Sequence, residues 1–512
     1  MKKLLNGGEQ SFGEAIRRLN ATNPFLPARI EAEREALGRD YDDAGAPWNT
    51  LPPSATLHPN HAKLKQACED WILVVREKWP VKGSVSAEGI ELYVEVFGFW
   101  LYQNYSTRFD GVIAAAQAGD RQALRPEFFR SFCDDVAHYL DLPGLQGRDG
   151  LDARHLFASA FQIRRAFYHV FHLLVGGSQP MARLRAAIWQ SIFTHDLGRY
   201  RRVLFARMAD FATLITGASG TGKELVARAI SFSRYVPYDP RGGGFSESFA
   251  EVFFPLNLSA LSPTLIESEL FGHRRGAFTG AVADRVGWME QCPATGSVFL
   301  DEIGDVDASV QVKLLRVLQS RTFERLGDTE TRQFEGKIIA ATNQDLTAMM
   351  QQGKFREDFY YRLCSDLIRT PTLREQLDDA PDDLGVMIAS IATRLVGSAE
   401  GGAFAQETRR WIEKNLGHDY RWPGNFRELE QCVRNVMIRG EYRPAKLEGG
   451  GGDDWISQVG AGTLSEKELL ERYTRMVFAQ SLTLEETARR MGVDRRTVRA
   501  RLPAKPMRRG RR

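Results

Sequence analysis

Apolar and polar positions change their rhythm several times along the chain. Stretches 61–79, 87–109 and 154–175 (HAKLKQACEDWILVVREKW, AEGIELYVEVFGFWLYQNYSTRF and RHLFASAFQIRRAFYHVFHLLV) carry apolar residues at helical spacing and predict a mostly helical N-terminal region over 1–174. The pattern then changes. Short apolar runs in FATLITGASGTGKELVARAI (211–230), GSVFLDEIG (296–304) and EGKIIAATN (335–343) read as buried strands, each ending in glycine, acid or amide residues. Helical spacing returns at the far end: SEKELLERYTRMVFAQS (465–481) follows a glycine-rich linker at 446–464 and leads into TLEETARRMGVDRRTVRARL (483–502).

Length and composition narrow the classes. A chain of 512 residues exceeds one core and has room for three or four domains, and 43% hydrophobic with 26% charged residues is ordinary globular composition. The five cysteines are far apart with no C-x-x-C pair, which favours reduced thiols over a zinc site or disulfide framework. The start, MKKLLNGGEQSFGEAIRR, lacks the apolar core of a signal peptide, and no uncharged apolar run approaches the ~20 residues of a membrane span. A cytoplasmic location without membrane contact is expected. Charge is uneven: the net is +3, yet 489–512 alone carries +10 and the remainder about −7. A basic tail on a mildly acidic body points to nucleic acid.

The strand tips hold the chemistry. Gly217, Ala218, Ser219, Gly220, Thr221, Gly222, Lys223 and Glu224 close a strand and open a helix in a G-x-x-x-x-G-K pattern, which turns backbone N–H groups toward phosphate oxygens. Lys223 would reach the β- and γ-phosphates. Glu224 stands where Ser or Thr usually contacts Mg²⁺, so Thr221 or water would have to substitute. Asp301 and Glu302 end the second strand as a metal-organising acid and a water-activating base, and Thr342 and Asn343 end the third, placed to sense the γ-phosphate. Arg356 and Arg362 in GKFREDFYYRL (353–363) are both candidates for completing a neighbour's site.

These blocks resemble the AAA+ domain of bacterial enhancer-binding proteins, the activators of sigma-54 RNA polymerase. The resemblance rests on VGGSQPMARLRAAI (175–188), the phosphate loop, FPLNLSAL (254–261), ESELFGHRRGAFTGA (267–281), GSVFLDEIGD, FREDFYYRL and WPGNFRELEQCVRN (422–435), together about half the chain. It implies an α/β P-loop ATPase core over 175–370 and a helical lid over 371–445. It also implies ATP and Mg²⁺ as cofactors and assembly into a ring, expected to be a hexamer. Gly276, Ala277, Phe278, Thr279, Gly280 and Ala281 would form a loop tip that presses on sigma-54, with Phe278 and Thr279 exposed for contact. Asn257 would restrain Glu302, and Arg427 would sense nucleotide. The family places a regulatory domain where 1–174 lies.

Two stretches depart from the family pattern. About fifteen extra residues near 194–208 precede the phosphate loop, and 235–252 (YVPYDPRGGGFSESFAEV) reads as a surface loop from its Pro and Gly content. His273, Arg274 and Arg275 add positive charge before the loop tip.

In 483–502 Leu484, Ala488 and Met491 should face inward, Gly492 makes a turn and Asp494 caps a second helix, the arrangement of a helix-turn-helix within a 465–512 domain. Arg495, Arg496, Thr497, Arg499 and Arg501 would face double-stranded DNA, Val498 and Leu502 would pack, and the RRGRR end would add phosphate attraction. His169 and His172, one turn apart without a third ligand, read as a packed helix face; the aromatic run Phe97 to Tyr105 reads as core or oligomer contact, with a ligand pocket as the alternative. The expected function is a DNA-bound ATPase ring that remodels sigma-54 holoenzyme into an open complex. The rivals are a remodeller of another protein and a DNA-binding repressor that keeps the ATPase fold as a scaffold.

Overall fold

The computed structural model describes residues 4–43, 59–80, 85–148, 150–242, 244–245, 252–417, 419–444, 462, 464–481 and 483–502. Met1–Glu441 forms one compact unit and Tyr442–Arg512 a second. The glycine-run linker and the RRGRR end lie largely outside the described residues.

Six helices build the N-terminal region: α1 (Gly7–Ala21), α2 (Ala28–Leu37), α3 (Pro59–Glu77), α4 (Ala87–Gln117), α5 (Phe129–Leu140) and α6 (Ala153–Leu173). Local chemistry sets their starts. Asn6 and Glu9 form a capping box on α1, Ser86 caps α4 and Asp152 caps α6. The aromatic run of α4 is core: Phe97, Trp100 and Tyr105 are all buried.

Helix α6 belongs to two cores at once. Its Phe157 and Phe161 lie in the helical core, whereas Ala166, Val170 and Phe171 join a cluster that includes Val226 and Ile230 of the helix Lys223–Ser231 and Ile215, Phe299 and Ile339 of the sheet. His169 is buried on the same helix, and the described residues contain no cluster of potential metal ligands.

After α7 (Gln179–Phe193) comes a five-stranded parallel sheet. Its strands are β1 (Thr213–Thr216), β4 (Phe253–Asn257), β7 (Ser297–Asp301), β10 (Lys337–Thr342) and β11 (Asp366–Arg369), in the order β11-β1-β10-β7-β4. Short hairpins make up the rest: β2 (Tyr238–Asp239) with β3 (Gly244–Phe245), β5 (Gly272–His273) with β6 (Arg285–Val286), and β8 (Thr322–Phe323) with β9 (Arg332–Gln333). The expected runs form β1, β7 and β10, whose apolar side chains are buried as a sheet covered on both faces requires. Three helices, Leu373–Asp379, Asp383–Asn415 and Asn425–Arg439, follow the sheet. The carboxylate of Asp383 accepts from the N–H groups of Gly177 (2.8 Å) and Ser178 (3.0 Å), tying these helices to the start of α7.

The stretch 235–252 departs from its surface-loop reading. Its Tyr238 and Phe245 are buried in the helical core, with Phe245 stacked on Phe161 at 4.2 Å and Tyr238 against Phe129 at 4.2 Å. Proline and glycine correctly signalled turns, but the aromatic residues between them decide where the segment goes. The earlier insertion behaves likewise. Residues 197–204 coil into one α-turn and one π-turn; Tyr200 is buried, and its hydroxyl donates to Gln162 Oε1 at 2.8 Å. His155 of α6 meets both insertions: Nε2 lies 2.6 Å from the Arg201 carbonyl and Nδ1 2.9 Å from the Tyr235 hydroxyl. A carbonyl only accepts, so Nε2 carries a proton and donates to it. Burial lowers the His155 pKa.

The second unit has the helices Glu466–Ser481, Leu484–Met491 and Arg495–Arg501. Gly492 ends the middle helix at φ 64°, and the Asp494 side chain accepts from Arg496 N at 2.7 Å. Val498 is fully buried. Leu484, Ala488, Met491 and Leu502 are half-buried, and Thr487, bonded to Ser481 at 2.6 Å, fills the inner position of the first helix.

Candidate functional site

The phosphate loop runs from the end of β1 into the helix Lys223–Ser231. Ala218 and Ser219 are exposed on it, whereas Lys223 is buried and donates to the carbonyls of Gly217 (3.0 Å) and Ala218 (3.3 Å). Burial lowers the Lys223 pKa, while Glu302 and Asp301 act to raise it. The lysine therefore faces the two acids that the sequence paired with it.

Parallel pairing explains that meeting. In β4 and β7 the register sets Asn257 opposite Asp301, and β10 flanks β7 on its other side. Asp301 is half-buried, and burial raises its pKa. Glu302 adopts φ 55°, ψ 51°, a left-handed conformation that costs an L-residue about 1–2 kcal/mol. One Glu302 carboxylate oxygen accepts from the Asn343 N–H at 3.3 Å.

Asn257 is exposed, and its side-chain oxygen accepts from Ser259 N (3.0 Å) and Ser259 Oγ (2.8 Å). In this conformation Asn343, not Asn257, holds Glu302. The Thr221 hydroxyl, expected as a substitute metal contact, is engaged within the protein here: Thr221 is buried, donating to the Ala218 carbonyl (2.8 Å) and meeting the Thr370 hydroxyl at 2.7 Å. Glu224 points outward and pairs with Arg228 at 2.7 Å, one helical turn on. Asp301 is left as the acid suited to a metal.

The WPGN turn of the last lid helix closes over the loop. A side-chain carbon at Gly220 would collide with the Gly424 carbonyl, so glycine is needed for the approach. Arg427 Nη1 donates to Ser219 Oγ at 2.9 Å, and Phe426 N to the Gly220 carbonyl at 3.0 Å. Asn425, which sequence reasoning passed over although it lies inside the quoted motif, is the keystone. It is buried at φ 52°, donates through Nδ2 to the Ser219 carbonyl (3.0 Å) and accepts from Leu373 N (2.9 Å). Asparagine tolerates left-handed backbone better than most residues, and its position after Pro-Gly was the available signal.

Arg356 and Arg362 lie on the same short helix, Glu357–Leu363, and its cap, both exposed. Arg356 makes a two-pronged pair with Asp358 (3.0 and 2.8 Å). Arg362 has no acidic partner among the described residues.

The GAFTGA segment caps the β5–β6 hairpin. Gly276 (φ 82°) and Gly280 (φ 101°) are left-handed with open space around them, and Gly276 N donates to the Ala281 carbonyl at 2.8 Å. Thr279 is exposed and Ala281 buried, while the neighbouring Val282 is 82% exposed. Phe278 and Ala277 are half-buried. The Phe278 ring packs edge-on to His273 at 4.9 Å, so the aromatic is not fully presented as expected. The positive approach is largely neutralised: Arg274 pairs with Asp284 (2.8 Å) and Asp328 (3.1 Å).

On the second unit Arg495, Arg496 and Arg499 are exposed, with Thr497 and Arg501 half-buried. Arg495 is paired with Glu485 at 2.8 Å, whereas Arg496, Arg499 and Arg501 have no acidic partner among the described residues.

A parallel sheet with a glycine-rich phosphate loop after β1, acids at the tip of β7 with β10 between the two strands, and a helical lid over the loop defines a P-loop ATPase of the AAA+ kind. Residues 198–368 match the sigma-54 interaction domain. The Nif-specific regulatory protein of Azotobacter vinelandii is 44% identical over 339 residues, 65% of this chain and 57% of the relative. The DNA-binding transcriptional regulator NtrC of Rhizobium meliloti is 38% identical over 291 residues, 55% of each chain. AlgB, the alginate biosynthesis transcriptional regulatory protein of Pseudomonas syringae pv. tomato, is 36% identical over 295 residues, 57% of this chain and 61% of the relative. The chain thus spans somewhat over half the length of these relatives. Over its ATPase region the chain is similar to a sigma-54 interaction domain and to transcriptional regulators of this kind. No described helix is long and apolar enough to cross a membrane.

Proposed function

We propose that this protein hydrolyses ATP to remodel sigma-54 RNA polymerase holoenzyme into an open promoter complex, working as a DNA-bound homo-oligomeric ring, a hexamer by family analogy. The observation that carries this reading is the β5–β6 hairpin: it offers exposed Thr279 between two glycine hinges and belongs to the same compact unit as Lys223, Asp301 and Glu302.

The phosphate loop and Lys223 suit the triphosphate, and Arg427, already on Ser219, is placed to report it. A half-buried Asp301 with its pKa raised by burial fits a hard divalent cation, which would take the place of solvent at that carboxylate. Mg²⁺ bound there would neutralise charge on the β- and γ-phosphates. Glu302 orients and deprotonates the attacking water once it leaves the Asn343 N–H. Arg362, exposed and without an acidic partner, is the readier arm for a neighbouring subunit; Arg356 must first release Asp358.

Two proteins in solution test the target. The chain trapped with ADP and aluminium fluoride should co-migrate with purified sigma-54, and Thr279→Ala should abolish this complex while sparing ATP hydrolysis. A Thr279→Ala variant that still drives open-complex formation would sink the loop assignment. DNA recognition is supported by the exposure of Arg496 and Arg499 on a capped second helix, with Arg501 half-buried at its end. Deleting 465–512 should weaken promoter binding without affecting hydrolysis.

A further inference from the structure

A cavity of about 400 Å³ lies where the N-terminal helices meet the insertion ahead of the phosphate loop. That volume suits a small molecule. One wall comes from α1 and α4, through Arg17, Asn20 and Glu95; the facing wall is the insertion, through Gly198, Arg201 and Arg202. Val94, Phe97, Leu151 and Leu156 supply an apolar floor.

Glycines make room for the arginines. A side-chain carbon on Gly98, in the middle of α4, would lie 3.0 Å from Arg201 Nη1, and one on Gly198 would lie 3.3 Å from Arg202 Nη1. A mid-helix glycine costs about 1 kcal/mol against alanine, so α4 gives up stability where Arg201 crosses it.

The charge is lopsided once internal partners are removed. Glu95 accepts from Asn20 Nδ2 at 2.8 Å and sits 3.8 Å from Arg201, and Asp196 caps the next turn by accepting from Arg199 N at 2.8 Å. Arg148, at the rim, is turned to the Gly144 carbonyl at 2.9 Å. Arg17 and Arg202 have no acidic partner among the described residues, and Glu91 is exposed on the α4 side. Guanidinium groups over an apolar floor match a carboxylate or phosphate on a short hydrocarbon body.

We propose that this cavity binds a small organic anion, a dicarboxylate or a phosphate ester, gripped by Arg17 from the helical side and by Arg201 and Arg202 from the ATPase side. The site goes beyond the function proposed above and does not depend on sigma-54 being the target. Its occupant would tie α1 to a segment that leads directly into β1.

The test is calorimetric titration of the full chain, with Mg-ADP present to fill the phosphate loop. The probes are succinate, glutarate and glycerol 3-phosphate, with glycerol as neutral control. Saturable binding of one anion class, absent for glycerol and weakened about tenfold or more by Arg17→Ala with Arg202→Ala, is the expected result. Binding by dicarboxylates only or by the phosphate ester only would say which source the site serves. Both substitutions are at exposed side chains, and an unchanged melting temperature would show that the fold is intact. Absence of saturable binding by all three anions at millimolar concentration, or binding undiminished in the double variant, would overturn the proposal. Gly98→Leu, which fills the space over α4, should reproduce the loss.

Discussion

Single residues at the sheet tips and the lid turn carry unequal burdens. Glu302 sits in a left-handed conformation with one hydrogen bond to Asn343 N, so its side chain is positioned by backbone strain more than by partners. Glu302→Gln keeps size and backbone demands but removes the base. ATP binding should survive, and hydrolysis should fall by about 10²–10⁴, read in a phosphate-release assay. The two arginines of the 353–363 stretch should separate. Arg362→Ala is expected to depress hydrolysis more than Arg356→Ala, with nucleotide affinity unchanged in both, as measured by fluorescent-nucleotide titration. Equal losses would mean that the Asp358 pair opens readily. Lys223, Asp301 and Glu302 were legible because strand-loop-helix rhythm and residue type agree at each. Asn257 and Thr221 show where such reading stops: a hydroxyl or amide says what it can bond, and only packing decides which neighbour reaches it first.

Among elements, the hairpin β2–β3 and helix α6 do the joining. Phe245 stacks on Phe161 and lies near Phe157 and Tyr238, although about seventy residues of chain separate it from the end of α6. Phe245→Ala removes the ring and leaves a cavity, which should cost about 3–5 kcal/mol locally. Limited proteolysis should then cut near residues 235–252 before the sheet core is attacked. Resistance equal to the parent chain would show that the hairpin is dispensable for the joint. Periodicity found α3, α4, α6, β1, β7 and β10, since their burial repeats along a single element. It could not find this contact, because a two-residue strand has no period and a Gly-rich loop carries no sign of its destination.

For the whole first unit the joint brings a pH liability. Burial, reinforced by Arg165 and His172, holds His169 near a pKa of about 3, and burial lowers His155 as well. Both titrate near 6.5 in an unfolded chain. The folded state therefore binds fewer protons below that value, and stability present above about pH 6.5 is lost as pH falls toward the folded pKa values. Thermal melts between pH 7.5 and 5.5 should show a falling midpoint, and His169→Phe should flatten the slope. A slope unchanged in that variant would assign the acid sensitivity elsewhere.

The two insertions bracket β1 and the phosphate loop in sequence; the later one completes the helical core that begins at α1, and the earlier one, through Tyr200, the cluster that α6 shares with the sheet. Fusion at residue 174 is the natural cut for exchanging input domains among such ATPases, and here it would fail as modular engineering. A recipient lacking Tyr200, Tyr238 and Phe245 would receive helices with an open seam, and the donor stripped of 1–174 would display those aromatics to solvent. The unit that packs together is therefore 1–174 with the two insertions, and a working transplant must move all three stretches at once.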